Sequence, residues 1–141
     1  MPARSLFLAV TLLAACAAAR AQALEPGEWE IRSMTTSPLS PNGQSAVFRH
    51  CLTKADAEDP ERWMARQSES GPCTLTPAER TAERMEWDVA CPLTRMHGRG
   101  SATITGPGSV ESELRMTSEF QGYRFQMHTR ATARRLGPCK S

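Results

Sequence analysis

Apolar and polar side chains alternate with a period of two over three stretches of this chain. Met85, Trp87, Val89 and Cys91 alternate with Glu86, Asp88 and Ala90. Val110, Ser112, Leu114, Met116, Ser118 and Phe120 alternate with Glu111, Glu113, Arg115, Thr117 and Glu119. Tyr123, Phe125, Met127, Thr129 and Ala131 fall on one side of a third stretch, with Arg124, Gln126, His128 and Arg130 on the other. This period sends alternate side chains to opposite faces and describes antiparallel strands with one wet and one buried face. Weaker versions at 27–36, 46–51, 73–76 and 98–105 bring the expected strands to about seven. Pro41-Asn42-Gly43, Gly106-Pro107-Gly108 and Gln121-Gly122 have the residue types of tight reversals. The pattern predicts a mainly β, single-domain antiparallel meander that closes into a barrel or half-barrel.

The rhythm breaks between Cys51 and Cys73. Thr53 followed by Asp56 suits the cap of a first helical turn, and Asp59-Pro60 sets a capping carboxylate before a proline at the first helical position. A short helical insertion at about 54–68 is predicted, with Trp63 and Met64 available to cover an opening or one face of the sheet.

The first 23 residues carry a different signal. Met1 to Arg4 is a short basic start, and Ser5 to Ala15 is apolar apart from Ser5 and Thr11. Ala19-Arg20-Ala21 and Ala21-Gln22-Ala23 then both offer the small-x-small pattern of a signal peptidase site. These residues read as a signal peptide cleaved after Ala21 or Ala23, leaving 24–141 as a periplasmic or secreted domain. The apolar run is shorter than the roughly 20 residues a membrane helix needs, and no transmembrane segment is expected elsewhere. Leu13-Ala14-Ala15-Cys16 also has the form of a lipobox, and the alternative is a lipoprotein anchored through an acylated Cys16. Two of the 17 Lys and Arg, Arg4 and Arg20, leave with the leader and none of the 15 Asp and Glu does, so the rest of the chain is neutral. A neutral domain argues against a nucleic-acid partner, whose phosphates require a basic face.

Outside the leader stand Cys51, Cys73, Cys91 and Cys139. An even count in an exported chain favours two disulfides, and without a C-x-x-C there is little basis for a redox or zinc-ribbon reading. Strand direction restricts the pairing. If the helical insertion crosses from one end of the barrel to the other, Cys51 and Cys139 share one end, and Cys73 and Cys91 the other. If it returns to the same end, Cys139 lies apart from the other three. Cys51 with Cys139 and Cys73 with Cys91 is the favoured pattern, and Cys51 with Cys73 and Cys91 with Cys139 stays open.

No complete catalytic motif is present, and the chain reads as non-enzymatic, with no cofactor or metal. The pairs Met96-His97 and Met127-His128 suggest copper, but adjacent residues on a strand point to opposite faces, so neither pair closes on one ion without a bulge. His50 beside Cys51 could be a base beside its thiol, a reading that a disulfide removes. Glu111 and Glu113 read as solvated charges, and Arg130, Arg134 and Arg135 as a solvated strand edge that discourages pairing with other chains. The inward face supplies the ligand-binding candidates Trp29, Trp87, Met116, Phe125 and Met127, with Ser33, Ala102, Ser112, Ser118, Thr129 and Ala131 as small neighbours. Small residues inside a barrel leave room for a ligand or let the barrel close tightly. The expected function is a binding module for a small hydrophobic or amphipathic ligand; the alternative is a structural or protein-interaction factor of the bacterial envelope.

Leu24-Glu25-Pro26-Gly27-Glu28-Trp29-Glu30, Cys51-Leu52-Thr53, Gly71-Pro72-Cys73, Trp87-Asp88-Val89-Ala90-Cys91 and Arg135-Leu136-Gly137-Pro138-Cys139 occur in that order. In this the chain resembles the domain of unknown function 3617 family of secreted bacterial proteins. The resemblance implies an exported protein without an assigned activity, so it transfers no catalytic residues. The strands here are richer in Arg and Glu than the Gly-, Met- and Thr-rich strands of that family. Gly27-Glu28-Trp29 with Arg134 or Arg135 is also similar to lipocalin-like barrels, which implies a guanidinium across the indole and room for a small apolar molecule.

Overall fold

The computed structural model describes residues 24–140; the leader, both cleavage sites and Cys16 lie outside them. Seven strands, β1 (Gly27–Ser37), β2 (Ser40–Leu52), β3 (Thr74–Arg80), β4 (Arg84–Cys91), β5 (Met96–Gly106), β6 (Ser109–Phe120) and β7 (Tyr123–Gly137), form one sheet in the order β2-β1-β7-β6-β5-β4-β3. Every pairing is antiparallel. β2 and β3 are therefore the two edges of the sheet and are not paired with each other, which leaves it an open half-barrel.

The connection between the two edges is helical. Thr53 accepts a hydrogen bond from the Asp56 N–H (3.2 Å) and starts α1 (Lys54–Glu58). Asp59 accepts from the Arg62 N–H (3.0 Å) and starts α2 (Pro60–Ser70). The single insertion expected from the sequence is therefore two helices, because the residue before a proline is pushed out of the helical region and Asp59 recaps the chain there. α2 lies along β3, where the Ser68 hydroxyl accepts from the Leu75 N–H (2.8 Å). Its Trp63 reaches the other edge, with its ring centroid 6.0 Å from that of His50 on β2. No helix among the described residues is long and apolar enough to cross a membrane.

The sequence misplaces one reversal. The chain turns between β1 and β2 at Pro38-Leu39, with Ser37 opposite Ser40, and Pro41-Asn42-Gly43 is taken into β2 as a bulge. Pro41 cannot donate to a ladder, which an edge strand tolerates, and Gly43 supplies a left-handed φ of +82°. Gln121 and Gly122 form the expected tight turn, with φ of +50° and +81°, the pair of positive values that matches the twist of a hairpin. A second correction concerns Arg130, Arg134 and Arg135. They are not on a sheet edge, because β7 lies between β1 and β6.

Cys51 is bonded to Cys139 and Cys73 to Cys91, the pattern with two cysteines at each end. The first bond holds the end of β2 to the tail beyond β7; the second staples the β3–β4 hairpin. Val89, Cys91 and Met116 are buried on the apolar face, packed by Cys73, Leu75, Trp87, Met96, Leu114 and Met127. Trp87 lies across its partner Gly100, where any Cβ would overlap the indole. Gly100→Val is expected to destabilise the domain by about 2 kcal/mol through this overpacking. Urea unfolding checks it, with Gly100→Val plus Trp87→Leu costing less than the sum of the single changes because the two share the overlap.

Candidate ligand site

An apolar cavity of 320 Å³ lies between α1 and the buried face of the sheet. The sheet contributes Met85, Ala102, Ile104 and Val110, in register as Met85 opposite Ala102 and Ile104 opposite Val110. Ala57 and Pro60 come from the helices and Leu24 from the start of the fold. Asp56, itself buried, forms an ion pair with Arg66 and so fixes α1 to α2.

The segment carrying Leu24 is held at three points. The Glu25 N–H donates to the Pro107 carbonyl (3.0 Å), the Trp29 indole N–H to the Glu25 carbonyl (3.0 Å), and Arg135 Nε to the Pro26 carbonyl (2.8 Å). Around the mouth stand Glu58, Arg80, Glu83 and Arg84. Arg80 is 3.9 Å from Glu61, which steadies its guanidinium at the rim, whereas the Arg84 guanidinium bonds Glu86 and Thr103 on the other face of the sheet. The site is an apolar hole with a charged margin.

The opposite face has a longer but more open trough of 690 Å³. Two rows of side chains flank it, running across the strands as Arg32, Thr132, Glu111, Thr103 and Arg84, and as Met34, Arg130, Glu113 and Ser101. Its charges are largely answered within the face: Arg130 is 3.3 Å from Glu113, and Arg32 2.8 Å from Glu30. The hydrogen bond from Arg32 holds the Glu30 carboxyl below its usual range, and the nearby charges of Arg32, Arg49 and Arg134 act in the same direction. This is a solvated lattice of alternating charge, without aromatic side chains to hold a ligand.

The family described as "Protein of unknown function (DUF3617)" matches residues 24–139. The chain belongs to the DUF3617 family. The match begins at Leu24, which lines the cavity, and ends at Cys139, which closes the longer disulfide, so it spans the fold just described. No curated protein matches the chain.

In this DUF3617 domain the five aromatic and methionine candidates share one face without gathering around one space. Met116 and Met127 are cross-strand partners inside the packed cluster, which Trp87 joins. Phe125 is half-buried opposite Ser118, and Trp29 is 4 % exposed near the other end of the sheet. Ala102 and Ile104 belong to the inward face read from the sequence; Leu24, Ala57 and Pro60 join them only because the helices and the segment before β1 fold over the sheet end.

The chemical candidates separate in the same way. Met96 packs in the cluster while His97 is exposed, and His128 lies 3.7 Å from Glu113 on the face opposite Met127. No group of three His, Cys, Asp or Glu that could hold a metal occurs among the described residues. Cys51 is spent in its disulfide, leaving His50 without a thiol. Glu113 faces Arg115, His128 and Arg130, while Glu111 is exposed. Of the two arginines weighed against Trp29, Arg135 is its register partner, and its guanidinium is engaged by Pro26 and Glu25. Arg134 stands opposite Glu30.

Proposed function

We propose that this DUF3617 protein is an exported, non-enzymatic binding module that holds a small apolar or amphipathic molecule in the cavity beneath α1. The observation that carries the reading is the cavity itself, apolar on its walls, charged at its rim and 320 Å³ in volume. That volume falls at the lower end of the roughly 300–1,000 Å³ of small-molecule sites. The two disulfides support an oxidising compartment.

The test is titration with the fluorescent apolar probe N-phenyl-1-naphthylamine. Wild-type protein is expected to bind it saturably. Ala102→Leu, which fills the cavity from its floor, is expected to weaken binding about tenfold while leaving the far-ultraviolet spectrum unchanged. Absence of saturable binding, or equal binding by the variant, overturns the proposal.

A second reading, an interaction factor of the envelope, is favoured by a patch at the far end of the sheet. Leu93, Phe120 and Tyr123 are 88 %, 61 % and 71 % exposed. Their loops are joined where the Ser118 hydroxyl donates to the Thr94 carbonyl (3.2 Å). Contiguous exposed apolar groups mark contact surfaces. The same titration separates the two readings, because probe taken up at this exposed patch is unaffected by Ala102→Leu.

A further inference from the structure

We infer that one end of the half-barrel docks on a phospholipid bilayer through its three hairpin tips. The inference goes beyond the proposed binding function and does not depend on the cavity. Because every pairing is antiparallel, the β1–β2 turn, the β6–β7 turn and the β4–β5 connection lie at one end of the sheet. Leu39 stands on the first, Phe120 and Tyr123 flank the second, and Leu93 stands on the third. At 85 %, 61 %, 71 % and 88 %, these four are more exposed than any other large apolar side chain among the described residues, Val47 coming next at 58 %. The turns at the opposite end, Thr81-Ala82-Glu83 and Gly106-Pro107-Gly108, carry no large apolar side chain.

The tips are built to hold these side chains out. Leu39 and Leu93 each follow a proline, Pro38 and Pro92, whose fixed φ leaves the turn less freedom to lose when a leucine is ordered. Phe120 and Tyr123 are the last cross-strand pair of their hairpin, next to the tight Gln121-Gly122 turn. A tyrosine, with an apolar ring and a hydroxyl that stays wet, suits the boundary between headgroups and acyl chains.

Spacing and charge favour a bilayer over a protein. In the sheet order the three hairpins follow one another, and strands about 4.8 Å apart set successive tips about 10 Å apart. Polar residues, among them Ser37, Ser40, Thr94 and Gln121, stand between the apolar ones. A protein partner must cover a continuous area of about 800 Å² on each side, whereas a bilayer takes in separate side chains and leaves their polar neighbours among the headgroups. Within residues 37–40, 92–95 and 119–124, Glu119 is the one acid, and Arg124 lies 2.8 Å from it. Arg95, two residues after Leu93, is exposed with a φ of +52° and pairs with no acid among the described residues. A free cation beside an apolar tip matches a surface of anionic headgroups.

The experiment uses protein recovered after export and vesicles of phosphatidylglycerol and phosphatidylcholine whose acyl chains carry bromine, which quenches tryptophan inside the bilayer. Leu39→Trp and Leu93→Trp each place a tryptophan at a tip, Pro107→Trp places one at the opposite end, and wild type gives the baseline of the native tryptophans. Quenching above that baseline is expected for both tip variants and not for Pro107→Trp. In sedimentation with unbrominated vesicles, Leu93→Ser and Phe120→Ser are each expected to bind about tenfold more weakly than wild type. Arg95→Ala is expected to lose about fivefold, and Ala102→Leu nothing. Far-ultraviolet spectra confirm that these variants stay folded. Tip quenching no greater than that of Pro107→Trp overturns the docking end, as does equal vesicle binding by wild type and both serine variants. Vesicles that leave wild type in solution also overturn it and return the patch to a protein partner. None of these outcomes alters probe binding in the cavity, so the two proposals fail separately.

Discussion

Replacing Cys51 and Cys139 together by serine is expected to cost about 4 to 5 kcal/mol of folding stability. The bond closes a loop with a sequence separation of 88, and the entropy that such a cross-link removes from the unfolded chain grows with the logarithm of loop length. The Cys73–Cys91 bond closes a separation of 18, for which the same relation gives about 3 kcal/mol. Total stabilities of small domains lie at about 5 to 15 kcal/mol, so the longer bond is a large part of what keeps this one folded. Position adds to length. Cys51 lies one residue before the end of an edge strand paired on one side only, and the helices that roof the cavity follow directly. Urea unfolding of the two double-serine variants checks the order. A loss below about 1 kcal/mol for Cys51 and Cys139 would show that the tail beyond β7 contributes little to holding β2.

The buried sheet is thin enough to make these staples matter. Among the described residues Val89, Cys91 and Met116 form the buried cluster, and many strand residues on the same face are half-exposed. Small apolar cores leave little surplus over conformational entropy, and exported domains of this size make up the difference with disulfides. The cavity lies in this thin region, where Ala57 of α1 faces Ala102, Ile104 and Val110 across an unfilled space.

What the sequence showed of this fold follows from which interactions are local. Period-two alternation in 85–91, 110–120 and 123–131 is set by the strand itself, so the strands, their faces and the Gln121-Gly122 turn were legible. Thr53 and Asp59 cap the N–H groups three residues ahead of them, which made both helix starts legible too. The β1–β2 reversal was not, because Pro41-Asn42-Gly43 and Pro38-Leu39 compete locally, and the winner is fixed by the register of Ile31 with Phe48 and Ser33 with Ala46 farther along the ladder. The arginines of β7 looked like an edge for a similar reason: a late strand is an edge in a simple meander, and only the pairing of β1 with β7 places it inside. The candidate site was legible by face and not by place. Trp29, Trp87, Met116, Phe125 and Met127 do point to one side, but where that side stays unfilled depends on how α1 folds over Ile104 and Val110.

Trp29→Ala is expected to cost about 3 to 5 kcal/mol, the usual range for removing a buried tryptophan. The indole is 4 % exposed, so nearly all of its apolar surface is lost from the core. The change also reaches the cavity. The indole N–H is one of three bonds that hold residues 24–26 against the sheet end, and Leu24 is a cavity wall. Trp29→Ala is therefore expected to weaken N-phenyl-1-naphthylamine binding as well as stability, measured below the unfolding transition where the variant is still folded. Trp29→Phe separates the two effects. It keeps most of the buried area and gives up the N–H, a loss of about 1 kcal/mol for the hydrogen bond, with the aromatic ring still beside residues 24–26. If Trp29→Phe binds the probe as wild type does and Trp29→Ala does not, the wall at Leu24 is held by packing. If both lose binding alike, the single hydrogen bond from Trp29 to the Glu25 carbonyl shapes the cavity, and residues 24–26 belong to its binding machinery.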